Sequence, residues 1–356
     1  MLAGRGLRYE RWSRTTKWDG SQVELPVAAL AACDAVIPFR KTRSVFGLPD
    51  LAAARELSRT WLDWLDSARK EWAERMVAFS SEHLLVWLTT VSQVRAMHRI
   101  LSERFQSVRY VAWLRPQEDW LLSQYSQGLR SGSTQTLDEM LNTRLQSAQS
   151  ALPNFAARLR LWVEALGADA LRVFRLDGAR NGRDHCGTFC ELAGIAGDDL
   201  GRPETRNASF GAHSAEAMRQ INLRLPYWAK GQNGINPARQ GIAPQLEQTA
   251  GDEPPLALTD AQRKLIATAY EPGNRWLAET FADCAGLTAK GRTRPAPASP
   301  TTQDTAARLI DLLFASRMGA LAPLTETQRA RANPPHGPRT GRTVPGPQGP
   351  ITDPTP

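Results

Sequence analysis

The sequence predicts an α/β protein in which a central sheet of parallel strands is covered by helices on both faces. Three short, nearly continuous apolar runs, at 76–81, 108–114 and 171–174, have the composition of strands that are buried on both faces. The stretches between these runs carry apolar residues at helical spacing. Strands that alternate with helices of this length indicate βαβ units, whose strands run parallel.

The helices are predicted from stripes of apolar residues and from residues that favour helix ends. A stripe containing Val94, Met97 and Leu101 predicts a helix over 92–106. Two Thr-x-x-Glu/Gln capping boxes begin further helices at Thr136 and Thr259. The other predicted helices are 117–128, which begins after Pro116, 155–166, which ends before Gly167, 186–192, and 214–221, in which Ser214 is the N-cap.

Composition and charge exclude several classes of protein. The 356 residues are 42% hydrophobic and 22% charged, which is ordinary for a globular chain with a sizeable core. No apolar run approaches the roughly 20 residues of a membrane span, and the first residues lack a secretory signal, so we expect a cytoplasmic protein without membrane association. The net charge is +8, but nine Lys and Arg against four Asp and Glu lie from Lys290 onward. Because this excess lies in a tail, we expect no nucleic-acid partner.

The four cysteines are expected to be reduced thiols in apolar packing. Cys186 and Cys190 share a helix face, but no His or Cys pair elsewhere has the spacing to complete a metal site with them. We therefore expect no metal cofactor.

Residues 1–290 are predicted to form one domain, and residues 291–356 a tail rich in Pro, Thr and Arg. Several Gly and Pro residues over 222–257 predict a long irregular insertion in the domain. The tail composition predicts disorder over 291–303 and 332–356. Between these stretches, the apolar residues of 305–321 predict an amphipathic helix. That helix either packs on its own domain or binds a partner.

The first candidate site lies where the predicted strand 108–114 runs into a helix. Arg115 stands at the carboxyl end of this strand, and Ser123 lies about two helical turns beyond Pro116. In an open α/β sheet, ligands bind in the crevice at that edge. A guanidinium, a hydroxyl and a helix N-terminus together favour a phosphate group, and Trp113 and Trp120 are candidates to contact a base. Alternatively, Arg115 forms a salt bridge or caps a helix, and both tryptophans belong to the core.

The segment LRPQEDWLLSQYSQ at 114–127 resembles the 3′-phosphate-binding segment of the P-loop sulfotransferase superfamily, in which an arginine at a strand end is followed eight residues later by a serine. Arg115 and Ser123 fall on those two positions. The wider chain is similar to bacterial sulfotransferase-like proteins over about residues 1–285. The supporting segments are LRYE at 7–10, FSSEHL at 79–84, 154–177, NASF at 207–210 and NRWLAETF at 274–281.

The resemblance implies a three-layer P-loop-like fold and transfer of a sulfuryl group from 3′-phosphoadenosine 5′-phosphosulfate. The acceptor is a hydroxyl or an amine, most readily on a carbohydrate or small molecule. Glu82, which follows the predicted strand 76–81, is the candidate catalytic base, and His83 is the alternative. Glu82 as a helix cap or as the partner of an arginine is the non-catalytic interpretation. Arg206, Asn207 and Ser209 are further candidates to contact the donor.

The chain departs from the family in one respect, since no Gly-Thr/Ser-rich turn with a lysine precedes Tyr9. That turn binds the 5′-phosphosulfate in the family, and the strand before it is the first and a central strand of the sheet. We therefore expect residues 1–356 to be inactive or nearly so. Either the sequence is shortened at its start, or it is a non-catalytic remnant that acts as a binding or scaffold protein. A nucleotide kinase is disfavoured because the motif GxxxxGK[ST] is absent.

Overall fold

The computed structural model describes residues 6–9, 12, 22–73, 76–146, 153–176, 184–195, 209–228, 236–250, 253–284, 287 and 304–311. Its strands are β1 (Leu7–Arg8), β2 (Met76–Val77), β3 (Tyr110–Leu114) and β4 (Leu171–Arg175). The helices of the first half are α1 (Glu24–Ala31), α2 (Arg40–Phe46), α3 (Leu51–Ala68), α4 (His83–Trp87), α5 (Val91–Ser102), α6 (Gln117–Arg130) and α7 (Leu137–Gln146). Those of the second half are α8 (Phe155–Leu166), α9 (His185–Leu192), α10 (Ala212–Arg224), α11 (Ile242–Ala250), α12 (Asp260–Thr280) and α13 (304–311).

The strands form two separate parallel pairs, which confirms a mixed α/β protein with small parallel sheets. β1 pairs with β2, with Leu7 opposite Met76. β3 pairs with β4 along its whole length, from Tyr110 opposite Leu171 to Leu114 opposite Arg175. Within the described part of the chain, no ladder joins β2 to β3, although these two strands follow one another in sequence.

The predicted strand 76–81 is longer than the observed β2, and the reason lies in a neighbouring loop. The N–H of Gln22 donates to the carbonyl of Ser80 at 3.0 Å, and the N–H of Ser80 donates to Oε1 of Gln22 at 2.5 Å. The backbone that would continue the ladder at Ser80 is therefore bound by a loop residue. The predicted strands 108–114 and 171–174 differ from β3 and β4 only at their ends.

Local capping signals located most helix starts correctly. The capping boxes at Thr136 and Thr259 are both formed. The predicted N-cap Ser214 is wrong, because α10 begins at Ala212 after Gly211. The hydroxyl of Ser214 is buried and has no partner among the described residues, and its N–H donates to Glu253 instead.

The irregular insertion predicted over 222–257 is partly wrong, since it contains α11. Ile242 and Leu246 of this helix are fully buried. The tail helix predicted over 305–321 is observed as α13, and residues beyond 311 lie outside the described chain, as do 291–303 and 332–356. None of the described helices combines the length and the apolar character that crossing a bilayer requires.

Two apolar clusters make up most of the core. The first joins α1, α3, α5 and α8 to the pair β3–β4, and the second joins α6, α7 and α10–α13. α12 belongs to both, because Leu277 lies in the first cluster while Ile266 and Tyr270 lie in the second. Trp120 of α6 packs against both clusters. α6, which begins directly after Arg115 and Pro116, is thus held by both halves of the core.

Candidate functional site

A cavity of about 2110 Å³ lies between the two parallel pairs. Its walls include residues 76–87, which comprise β2 and α4, and residues 104–115, which end with β3. Parts of α8, β4 and α9 complete the lining. The cavity therefore meets the carboxyl end of β3, the edge at which a ligand was predicted to bind.

Arg115 lies in the wall of this cavity as predicted. Its side chain is exposed and makes no ion pair or hydrogen bond with any described residue. The interpretation of Arg115 as a salt-bridge partner is therefore not supported. The next residue, Pro116, is the N-cap of α6, and Glu118 in the first turn is paired with Arg263 at 3.3 Å. Arg115 therefore stands at the start of the helix as a cation without a partner among the described residues.

Ser123 does not line the cavity. It is half-buried on α6 and has no hydrogen-bond partner in the part of the chain that the structure describes. Three other residues of α6 do line the cavity, namely Trp120, Gln124 and Gln127, which share one helix face. Ser123 lies on the flank of that face. The structure thus brings Arg115 and Trp120 to the cavity and leaves Ser123 beside it.

Glu82 also lines the cavity, at the N-cap position of α4. Its backbone is helical and its side chain, which is 81% exposed, makes no capping hydrogen bond. No arginine of the described chain pairs with it; its nearest charge partner is Nε2 of His83, at 3.9 Å from Oε1. Among the described residues, Glu82 thus has neither a side-chain capping bond nor an arginine partner, although it occupies the N-cap position. The carboxylate stays accessible at the cavity wall, as a general base must be.

The side chain of His83 is far more buried than that of Glu82. Its ring stacks on Trp87 with Phe46 beside both rings, and only 16% of its side chain is exposed. Burial lowers the pKa of His83, and the charge of Glu82 opposes this shift only in part. Near neutral pH the imidazole is therefore uncharged, and burial disfavours its protonation.

Sequence reasoning missed the excess of arginine in the cavity. Of the described residues that line it, seven are arginines and one, Glu82, is a carboxylate. Arg69 and Arg104 both form ion pairs with Asp66, at 3.1 and 2.9 Å. By contrast, four have no ion pair or hydrogen bond to a described residue: Arg109, Arg115, Arg158 and Arg172. Unpaired guanidinium groups that share one concave surface favour binding of a multiply charged anion.

Arg158 is the least solvated of these four cations. Its Nε atom is buried without a hydrogen-bond partner among the described residues, and burial lowers the pKa of the guanidinium. A signal for this residue was present in the sequence. Arg158 lies three residues after Phe155 on the stripe that continues with Leu159 and Trp162, where a helix that lies on a sheet normally carries an apolar residue.

The remaining candidates are placed as follows. Trp113 and Trp120 are half-buried and line the cavity, and Trp113 also packs against Phe174 at 5.9 Å between ring centroids. Ser209 is exposed, and Arg206 and Asn207 lie outside the described residues. Across the described ranges, no three His, Cys, Asp or Glu side chains form a group that could hold a metal ion. All four cysteines are free thiols.

Comparison with protein-family models, with curated proteins and with solved structures finds no match to this chain.

Proposed function

We propose that this chain is a sulfotransferase-like protein with a three-layer P-loop-like fold, and that its cavity binds 3′-phosphoadenosine 5′-phosphosulfate. The observation that carries the proposal is a set of four arginines in one cavity that have no ion pair or hydrogen bond to any described residue, with Arg115 directly after β3. A donor with a 3′-phosphate and a 5′-phosphosulfate is the kind of multiply charged anion that such a cavity favours. The resemblance of segment 114–127 to the 3′-phosphate-binding segment of the family supports the same ligand.

The proposed reaction transfers the sulfuryl group to a hydroxyl or an amine, on a carbohydrate or small-molecule acceptor. The acceptor atom forms a bond to sulfur while the bond from sulfur to the 5′-phosphate oxygen breaks, and the acceptor proton passes to the carboxylate of Glu82. Arg115 holds the 3′-phosphate through charge-assisted hydrogen bonds, and Ser123 is proposed as a second donor from the flank of α6. Trp113 and Trp120 offer ring faces to the adenine.

Turnover by residues 1–356 is expected to be very low. The leaving 5′-phosphate gains charge in the transition state, and such charge is normally stabilised by backbone amides of a glycine-rich loop and a lysine. The sequence contains no such loop after a strand before Tyr9. The second candidate function, a non-catalytic protein that binds the nucleotide or a partner, is favoured by this same feature. The proposed setting is the cytoplasm, which agrees with four unpaired cysteines.

Calorimetric titration with two nucleotides tests the proposal. We expect 3′-phosphoadenosine 5′-phosphate to bind at least about 10-fold more tightly than adenosine 5′-phosphate, since hydrogen bonds to a charged group contribute about 1.5–3 kcal/mol. Arg115→Ala should remove most of this difference. The matched control is Arg99→Ala, because Arg99 is exposed on α5 and does not line the cavity.

Equal affinity for both nucleotides, or equal losses in the two arginine variants, would contradict the proposed 3′-phosphate site. A sulfate-transfer assay separates the two candidate functions. Binding without turnover supports the non-catalytic candidate, whereas ready turnover by residues 1–356 would show that the expected loss of activity is wrong.

A further inference from the structure

Two of the arginines that line the cavity stand at opposite ends of one strand. Arg109 directly precedes β3, and Arg115 directly follows it. Because a strand rises about 3.3 Å per residue, these two positions are roughly 20 Å apart along the chain. Arg109 and Arg115 therefore serve opposite ends of the cavity. The cavity has room for a second ligand, since ordinary ligand pockets measure about 300–1,000 Å³ and this one about 2110 Å³.

Arg172 joins Arg109 near the amino end of the β3–β4 pair. In the parallel ladder, Arg172 of β4 lies directly opposite Val111, which is two residues after Arg109. Paired strands are about 4.8 Å apart, so the Cα atoms of the two arginines are roughly 8 Å apart. Both side chains are exposed and have no ion pair or hydrogen bond to a described residue. Two long guanidinium side chains at this separation are able to bind one anion together.

The two faces of the β3–β4 pair are covered to different extents. On one face, Tyr110 shares a hydrogen bond of 2.9 Å with His98 of α5 and packs on Trp162 of α8, with the ring centroids 5.6 Å apart. Because side chains alternate along a strand, Val111 and Trp113 lie on the opposite face. Within the described chain, neither of them belongs to an apolar cluster, and Val111 is 37% exposed. This second face therefore has apolar surface that the protein leaves partly uncovered.

Helix α9 lies across from this second face. The ring centroid of its Phe189 is 6.3 Å from that of Trp113. Cys186, Cys190 and Ala193 share a helix face with Phe189, because they are spaced three or four residues from it, and all four line the cavity. The second face of β3–β4 and this face of α9 are the two walls of an apolar slot within the cavity.

The slot changes from charged and exposed to apolar and buried along its length. Arg109 and Arg172 are exposed, Trp113 is half-buried, and Cys190 is buried. No carboxylate competes at the charged end, since Glu82, the one carboxylate among the described lining residues, follows β2 instead. A ligand with an anionic head in water and an apolar body inside the protein matches this change in polarity.

We propose that the slot between β3–β4 and α9 binds a medium-chain fatty acid. The carboxylate accepts charge-assisted hydrogen bonds from Arg109 and Arg172. The alkyl chain covers Val111 and continues along Trp113 and Phe189, where burial of its methylene groups supplies most of the binding free energy. An acidic peptide or saccharide suits these walls less well, because its polar groups would be buried along apolar surface. This inference does not depend on the nucleotide proposed above, whose 3′-phosphate is assigned to the other end of β3.

Calorimetric titration of the full chain with decanoate tests the slot. We expect decanoate to bind at least about 10-fold more tightly than butanoate, whose chain is shorter, and than decyltrimethylammonium, whose head has the opposite charge. The double variant Arg109→Ala/Arg172→Ala should weaken binding of decanoate at least about 10-fold. The matched control is Arg99→Ala/Arg160→Ala, which removes two exposed arginines that do not line the cavity.

Two further measurements locate the chain and separate this site from the nucleotide site. Decanoate that carries bromine on its chain should quench tryptophan fluorescence, and Trp113→Phe should remove the largest share of that quenching. Excess 3′-phosphoadenosine 5′-phosphate should not displace decanoate, whether or not the nucleotide binds. Equal affinity for the cationic amphiphile, equal losses in the two double variants, unchanged quenching in Trp113→Phe, or displacement by the nucleotide would each overturn the proposal.

Discussion

His83 lies flat against Trp87, with the two ring centroids 4.0 Å apart and the ring planes 9° from parallel. The ring of Phe46 is nearly perpendicular to both, and its centroid lies about 6 Å from each of theirs. This packing removes the imidazole from water, and burial is the main cause of its lowered pKa. At neutral pH, His83 is thus an uncharged part of the cavity wall. In acid, burying its protonated ring would cost free energy.

The first prediction concerns the pH dependence of stability. Because the pKa of His83 is lower in the folded state than its ordinary value of 6.5, the unfolded chain binds more protons as the pH falls below 6.5. The free energy of unfolding should therefore decrease over that range, and less steeply in His83→Gln. Denaturant titrations between pH 5 and pH 8, with His185→Gln at an exposed position as control, measure the two slopes. Identical slopes in all three proteins would contradict the prediction.

The second prediction concerns the charge of Glu82. Its carboxylate raises the pKa of His83, so Glu82→Gln should lower that pKa further. Nuclear magnetic resonance titration of the His83 ring measures the change directly. Glu103→Gln is the control, because Glu103 is paired with Arg104 and does not line the cavity. An unchanged or raised pKa in Glu82→Gln would show that the two side chains do not interact at 3.9 Å.

The third prediction concerns the buried amide pair of Gln117 and Asn274. Nε2 of Gln117 donates to Oδ1 of Asn274 at 2.6 Å, and Nδ2 of Asn274 donates back at 3.2 Å. Asn274→Leu should cost about 1–3 kcal/mol, because it leaves the amide of Gln117 buried and unpaired. The double variant with Gln117→Leu should recover part of that loss, which a double-mutant cycle measures. Simple additivity of the two losses would argue against a coupled pair.

The fourth prediction concerns opposite effects of Arg158 on the stability of the fold and on the binding of an anion. A guanidinium with a buried, unpartnered Nε favours an anion but destabilises the empty fold. Arg158→Met should therefore raise the melting temperature and weaken binding of 3′-phosphoadenosine 5′-phosphate. Arg160→Met is the control, since Arg160 is two residues further along α8, is exposed, and lies over the ring of Trp276. A lower melting temperature together with unchanged affinity in Arg158→Met would contradict both parts.

Local rules predicted the helices better than the strands. The boxes at Thr136 and Thr259 depend on side chains three residues apart, so the sequence alone specifies them. The end of β2 depends on Gln22, which is 58 residues away in sequence from Ser80, and no local pattern contains that contact. α11 was missed because the Gly and Pro residues around it also suit a loop, and only burial of Ile242 and Leu246 against distant helices decides between the two.

The candidate site was predictable in part. The position of Arg115 follows from the strand before it, and the structure places it in the cavity wall. The prediction for Ser123 depends on its spacing from Arg115, and spacing does not specify which face of α6 meets the cavity. Arg158 was not predictable as a site residue, because it lies within an apolar stripe and the sequence does not show that this part of the stripe faces a cavity. The role of Glu82 as a base and the identity of the donor remain predictions.

Helix α13 has a practical consequence for anyone who shortens this protein. Ala306 and Leu309 are buried in the second cluster together with residues of α12, although they follow a Pro-rich stretch that would ordinarily be trimmed away. A version that stops at residue 290 would uncover the apolar surface beneath those two side chains and would tend to adhere to other proteins. Shortened forms should therefore extend at least to residue 311.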